Sequence, residues 1–299
     1  MVFVMGLDAR SIAETLSTTE YRVVSAKKIT LLANPKGKNA VADATIKALV
    51  PVPDGLGFMI ISGDGNRELV QRGVENILKA RSLVGESCAA AILPPVLTGQ
   101  IDGRTYALWQ KHQPLPTGIG SKIVKRWMYA PRILDWAHEL CADSLRPALD
   151  EKSQFQAPLE LVSRDAAFPP AMRRYAENAL NRIGDLRLMQ CIQHGDFWEG
   201  NVLRSMRGDS ELFVIDWAGA NLTGYPVMDV TRMLMSLSCS KRARDYNYGR
   251  LCRTLSCDRC DLVVYALASI GYLGANLEHF PVDRYYKLGV RIFNYLTTE

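Results

Sequence analysis

The residues best suited to chemistry lie between Ile192 and Trp217. The stretch reads Ile-Gln-His-Gly-Asp-Phe-Trp-Glu-Gly-Asn-Val-Leu-Arg, a polar turn, then Glu-Leu-Phe-Val-Ile-Asp-Trp. An acid and an amide, Asp196 and Asn201, precede a second acid, Asp216, at the end of the short apolar run Leu212 to Ile215. Three oxygen-bearing side chains on two neighbouring segments suit a hard cation such as Mg2+, which takes oxygen ligands and keeps water that a phosphate can replace. Asp196, beside His194 in a tight glycine-containing loop, has the type and setting of a general base for a hydroxyl proton. Asp229 follows Gly224 and Pro226 at a helix start, where an Asp caps or braces the preceding loop.

The elements that must position these groups follow from periodicity. Residues 7 to 18 read as a short amphipathic helix with Leu7, Ile12 and Leu16 on one side. Tyr21 to Val24, Ile29 to Ala33, Ala44 to Val50 and Phe58 to Ile61 are short runs rich in β-branched and aromatic residues. They are punctuated by Asn34-Pro-Lys-Gly-Lys-Asn39 and Pro53-Asp-Gly-Leu-Gly57, which argues for antiparallel hairpins. A helix from about Arg67 to Val84 follows, then strand, Asp102-Gly103 turn and strand over residues 89 to 116. Beyond Gly118 the pattern is helical over Lys122 to Leu145, with an interruption near Pro131, and over Pro170 to Asn181, Leu262 to Leu277 and Arg284 to Leu296. Asp150 to Phe168 is less regular. The class is α+β.

His194-Gly195-Asp196 to Asn201, Ile215-Asp216-Trp217 and Gly224-Tyr225-Pro226-Val227-Met228-Asp229, in that order, resemble the aminoglycoside phosphotransferase and choline kinase group of small-molecule kinases. The resemblance implies a two-lobed protein kinase-like fold. A small antiparallel-sheet N-lobe with one helix would span residues 1–107, and a larger, mainly helical C-lobe would span 108–299. It implies ATP and Mg2+ as cofactors and transfer of the γ-phosphate to a hydroxyl of a sugar, aminoglycoside, amino alcohol or glycolipid headgroup. Asp196 would be the catalytic base, Asn201 and Asp216 would hold Mg2+, and His194 and Asp229 would support the site. Leu108, Trp109 and Gln110 would form the hinge whose backbone binds the adenine edge. In this group a helix Glu, here Glu75, pairs with a third-strand Lys that holds the α and β phosphates. The strand instead reads Gly57-Phe-Met-Ile-Ile-Ser62, with Ile61 near the Lys point. Lys47 on the preceding strand is the expected replacement, because neighbouring strands lie about 4.8 Å apart; Lys36 and Lys38 of the Asn34 to Asn39 turn are alternatives. Without a replacement, the chain is a catalytically inactive pseudokinase that binds a nucleotide or a partner. Gly195, where regulated protein kinases often carry Arg, and the twelve residues between Asp216 and Asp229 leave little room for a peptide-binding segment. Small-molecule acceptors are favoured.

Composition bounds the alternatives. With 299 residues, 48% of them apolar, the chain can build a large core and two lobes. A net charge of +5, from 36 basic and 31 acidic residues, does not indicate a nucleic-acid partner. The cluster Lys122-Ile-Val-Lys125-Arg126-Trp127-Met-Tyr129-Ala-Pro-Arg132 reads as a solvated helix face, with an anion or membrane-surface patch as the alternative. No apolar run is long enough to cross a bilayer, the start lacks the marks of a signal peptide, and seven scattered cysteines read as reduced thiols, so a cytoplasmic setting is expected. Cys252, Cys257 and Cys260 have a spacing that zinc or a plain helix turn explains, and the helix turn is expected. A metal-dependent hydrolase built on Asp196 and Asp216 would leave the order of the three motifs unexplained.

Overall fold

The first helix begins where its cap does: Asp8 accepts hydrogen bonds from the N–H groups of Arg10 and Ser11, both at 2.9 Å, satisfying two donors that a helix start leaves without partners. The computed structural model describes residues 7–20, 26–32, 45–53, 55–118, 120–206, 211–277 and 280–298. In chain order the elements are α1 (Ala9–Ser17), β1 (Thr30–Leu32), β2 (Ile46–Val52), β3 (Gly55–Ile61), α2 (Leu69–Ser82), α3 (Glu86–Ala90), β4 (Leu97–Ile101), β5 (Arg104–Gln110) and β6 (Gln113–Pro114). They continue with α4 (Ser121–Val124), α5 (Ala130–Asp143), β7 (Arg146–Pro147), α6 (Ala157–Arg164), α7 (Pro170–Arg182), β8 (Met189–Gln193), β9 (Val202–Arg204), β10 (Leu212–Val214) and β11 (Asn221–Gly224). The last helices are α8 (Met228–Ser236), α9 (Lys241–Leu255), α10 (Arg259–Ala275) and α11 (Val282–Thr297). The expected α+β class is found. The turn Asn34 to Asn39, with Lys36 and Lys38, and the expected strand Tyr21 to Val24 lie outside the described residues, apart from what the sequence says of them.

The chain forms two compact units. The first comprises Met1–Ser82, Ala90–Pro114 and Leu203–Ala218. Its antiparallel sheet has the order β1-β2-β3-β5-β4, and the β4–β5 hairpin turns through Asp102 and Gly103, with φ of 50° and 69°, the left-handed pair that matches strand twist. One sheet face carries Ala48, Val50, Met59, Ile61, Tyr106 and Leu108, which close over Ile12, Ala13 and Leu16 of α1. Each fully buried aliphatic side chain there contributes roughly 1.5–3 kcal/mol. Strand alternation puts Lys47, Ile60 and Ala107, joined by cross-strand pairing, on the opposite face. β5 is buried on that face too, at Thr105 and Ala107, and α2 packs against it. Residues 203 to 218, which the sequence reading grouped with 108–299, pack in this unit because β9 pairs with β6 and the Val214 N–H donates to Ala91 O at 2.7 Å.

The second unit comprises Leu83–Ala89, Leu115–Val202 and Gly219–Glu299. Its centre is α10, buried without a break from Leu262 to Gly271, the signature of a helix surrounded by protein. A Cβ at Gly271 would come within 2.0 Å of Pro158 O, so only glycine lets α10 and α6 meet backbone to backbone. Tyr265 on α10 accepts the Met189 N–H at 3.0 Å, and Ser144 Oγ accepts the Ile192 N–H at 2.9 Å, fixing β8 from both sides. The interruption expected near Pro131 is instead a π-turn over Lys125–Tyr129 that joins α4 to α5, with Pro131 in the first turn of α5, where its missing N–H costs nothing.

Candidate active site

β8 is wholly buried and delivers the chain to His194, itself fully buried. The backbone then reverses at Gly195, whose φ is 80°; a Cβ there would lie 2.5 Å from Gly219 O. A residue such as Arg therefore cannot occupy this position without moving the loop. Asp229, in the first turn of α8, accepts the N–H groups of His194 at 2.5 Å and Gly195 at 3.1 Å. It braces the loop and is not the helix cap, which is Val227. Burial pushes the Asp229 carboxyl up to about 6; the His194 N–H, Arg232 and the Gly195 N–H pull it down in that order, and Asp196 adds to the rise. The Asp196 N–H in turn donates to His194 Nδ1 at 3.3 Å.

Asp196 is held by both of its oxygens. Arg232 Nη2 donates to Oδ1 at 2.5 Å while Nη1 donates to Gly195 O at 2.5 Å, and Asn201 Nδ2 donates to Oδ2 at 3.0 Å and to Asp196 O at 2.8 Å. A carboxylate offers about four acceptor positions, and the Asp196 side chain is 45% exposed, so it can still receive an acceptor hydroxyl. With Nδ2 of the buried Asn201 turned to Asp196, its Oδ1 is the atom left to face a cation, which fits a hard-metal ligand. Glu199 is tied by Lys125 at 2.8 Å and by Ser236 Oγ, which accepts its N–H at 3.1 Å. Arg232 was not among the expected site residues. The available signal was its spacing: three residues after Asp229 on a helix, it shares the face that braces the loop.

In the first unit Asp216 follows β10 with φ of 70°, a left-handed conformation that costs energy for a non-glycine residue and is retained where a site needs it. Trp217 is buried and its Nε1 donates to Val214 O at 3.2 Å, which makes it a packing residue; Trp198, in the second unit, is 43% exposed. Asn76 Nδ2 of α2 donates to Trp217 O at 3.0 Å. Glu75 is exposed and accepts from Gln71 Nε2 at 3.0 Å. Ile61, read as the residue at the missing Lys point, is turned into the α1 core; the third-strand residues on the α2 side are Phe58 and Ile60. Lys47 pairs across strands with Ile60 and is exposed on that side. Of the expected hinge residues, Leu108 is core, with its carbonyl accepting the Val96 N–H at 2.7 Å, Trp109 Nε1 donates to Leu93 O at 3.2 Å, and Gln110 ends β5 half-buried. Among the described residues no group of three or more His, Cys, Asp or Glu side chains is arranged to hold a metal, the cysteines of residues 252–260 included.

Residues 124–251 match the model of the phosphotransferase enzyme family. The matched phosphotransferase segment contains Asp196, Asn201, Asp216 and Asp229, so the resemblance read from the three motifs is borne out. No curated protein matches the sequence. Among solved structures, the macrolide 2'-phosphotransferase MphH from Brachybacterium faecium is 11% identical with a TM-score of 0.57, covering 98% of each chain. APH(2")-IIia, solved as its GDP and kanamycin complex, is 13% identical with a TM-score of 0.56 over 95% of this chain and 97% of that one. A macrolide 2'-phosphotransferase type I is 15% identical with a TM-score of 0.51 over 91% and 95%. At these identities the likeness establishes the phosphotransferase, kinase-like fold. No helix among the described residues is long and apolar enough to cross a membrane.

Proposed function

We propose that this protein is an ATP-dependent phosphotransferase that moves the γ-phosphate to a hydroxyl of a small molecule, in the class of sugars, aminoglycosides, amino alcohols or glycolipid headgroups. The observation that carries the reading is the exposed Asp196 carboxylate, held by Arg232 and Asn201 on a loop braced by Asp229. In the reaction the acceptor oxygen forms a bond to the γ-phosphorus as the bond to the β–γ bridging oxygen breaks; the diphosphate leaves with that electron pair and the hydroxyl proton passes to Asp196. The Arg232 and Asn201 contacts aim Asp196, so little reorganisation is required at the moment of transfer. Asn201, through Oδ1, and Asp216 are the residues proposed to hold Mg2+, which when bound neutralises phosphate charge. Leu108, Trp109 and Gln110 are proposed to meet the adenine. The GDP and kanamycin of the APH(2")-IIia structure support a nucleotide beside a small molecule.

A second reading, a pseudokinase that binds a nucleotide or a partner, is favoured by one observation: β3 carries no basic residue. A thermal-shift titration with ATP, with and without Mg2+, separates the two. A ligand at about a hundred times its dissociation constant stabilises by about 2.7 kcal/mol. Mg-ATP stabilisation whose metal-dependent part disappears in Asp216→Ala, together with phosphate transfer to a hydroxyl acceptor, is the expected result. Binding without any transfer across an acceptor panel would favour the pseudokinase.

A further inference from the structure

A kinase must face the triphosphate with a cation, and β3, reading Gly-Leu-Gly-Phe-Met-Ile-Ile, has none to offer. Helix α2 does. A Cβ at Gly73 would lie 3.7 Å from Ala218, and Asn76 reaches Trp217 O at 3.0 Å, so one side of α2 is laid against the loop that opens with Asp216. At 3.6 residues per turn Arg72 falls about 40° from Asn76 and one turn earlier, and helical side chains lean towards the N-terminal turn. Arg72 is half-buried on this side. Glu75 falls on the outer side, hydrogen-bonded to Gln71. Of the other described cations of the unit, Arg104 pairs with Asp64 at 2.6 Å, Arg81 donates to Ile92 O at 2.5 Å, and Lys47 is exposed on β2.

We propose that Arg72 of α2 is the phosphate-binding cation of this protein and takes the place of the third-strand Lys. The inference rests on the phosphotransferase reading and deepens it. The partner change is concerted: a strand Lys needs a helix Glu to hold it, and here the residue that α2 presents to Trp217 is the neutral Asn76 while the strand is apolar. A guanidinium is permanently charged and presents a planar fork of N–H groups that matches two phosphate oxygens at once. Delivered from a helix beside the Asp216 loop, it requires no cation on β3.

The test is a thermal-shift titration of the full chain with Mg-ATP and, separately, with adenosine, comparing the unmodified protein with Arg72→Gln, Arg72→Lys and Lys47→Gln. A charge-assisted hydrogen bond is worth about 1.5–3 kcal/mol, so Arg72→Gln is expected to weaken ATP about tenfold to a hundredfold while adenosine affinity stays unchanged. Arg72→Lys should recover part of the loss, and Lys47→Gln should bind ATP as the unmodified protein does. ATP binding at full strength in Arg72→Gln overturns the proposal, as does an equal loss of ATP and adenosine, which would make Arg72 a prop for the unit alone. An ATP-selective loss in Lys47→Gln, with Arg72→Gln unaffected, also overturns it and moves the cation to β2. If the unmodified protein binds neither ligand, the phosphotransferase reading itself has failed and this inference falls with it.

Discussion

The loop at Asp196 and the β3–α2 pair differ in how they hold charge. Around Asp196 charge is held by named contacts: Asp229 takes two backbone N–H groups, Arg232 spans Gly195 O and Oδ1, and Asn201 donates to the other oxygen. The β3–α2 pair keeps the expected antiparallel sheet, with a helix packed over β5, yet its strand is apolar and Glu75 is exposed. The proposed proton acceptor is thus held at both oxygens, whereas a cation for the phosphates can be supplied from more than one backbone position.

The comparison predicts a ranking. The largest effect belongs to Asp196→Asn, which should lower phosphotransfer by about 10²–10⁴-fold while leaving ATP affinity within about twofold; turnover and a binding titration on one sample test it, and equal losses in both would mean that the loop holds nucleotide as well. Next comes Arg232→Met. It should reduce turnover by at least about tenfold and cost about 1–3 kcal/mol of stability, because the largely buried guanidinium also satisfies Gly195 O. Denaturant unfolding beside an activity assay would show whether positioning or stability is lost. Asp229→Ala removes the acceptor of two buried N–H groups and should cost about 1–3 kcal/mol of stability.

The pH dependence sharpens the same contrast within the helical unit. Asp229 has a folded value of about 6, above the ordinary 3.8, so the folded state prefers it protonated. Its contribution is most favourable below pH 4 and is lost as pH rises towards 6. His138, on α5 with Nε2 against Asn247 Oδ1 at 2.9 Å, is pushed down from 6.5 to about 4, first by burial, with Arg250 and Arg253 adding to the drop and Asn247 and Asp135 opposing it. It must stay neutral, so stability is lost as pH falls from 6.5 towards 4. The two slopes oppose each other. His138→Gln should remove up to about 3 kcal/mol of acid sensitivity, read as unfolding free energy at pH 4.5 against pH 7. The smallest effect is Glu75→Ala, an exposed helix change expected to alter stability by less than about 0.5 kcal/mol and to leave Mg-ATP binding as it is.

Much of this was legible from the residues because local rules and tertiary structure agree. The Asp102-Gly103 hairpin, the stripe of Ile12 and Leu16, and the antiparallel pairing of β2 with β3 followed from turn chemistry and periodicity. His194, Asp196, Asn201 and Asp216 could be proposed from the sequence because their types and spacing suit phosphoryl transfer. What the sequence hid depends on which way a side chain faces. Ile60 and Ile61 are neighbours of the same type, and only strand register tells which is turned to α1 and which to α2. Arg232 and Arg72 belong to no motif; each enters the proposals through the helix face it shares, with Asp229 in one case and Asn76 in the other. The expected strand at residue 89 failed because Ala89 and Ala90 are better helix formers than strand formers, and Pro94 and Pro95 delay β4 to Leu97.

The double grip of Arg232 also bears on how other genes of this kind should be read. One side chain on α8 clasps both the carbonyl of Gly195 and the carboxylate of Asp196, so in the proposed mechanism the aim of Asp196 is inherited from a helix that lies beyond the three motifs. A survey that scores only the His-Gly-Asp and Asn residues would count a sequence with an apolar residue at this helix position as intact. By the logic of this site, such a sequence would bear every hallmark of an enzyme and transfer phosphate poorly, and the position three residues after the bracing aspartate belongs in any criterion used to sort working members from silent ones.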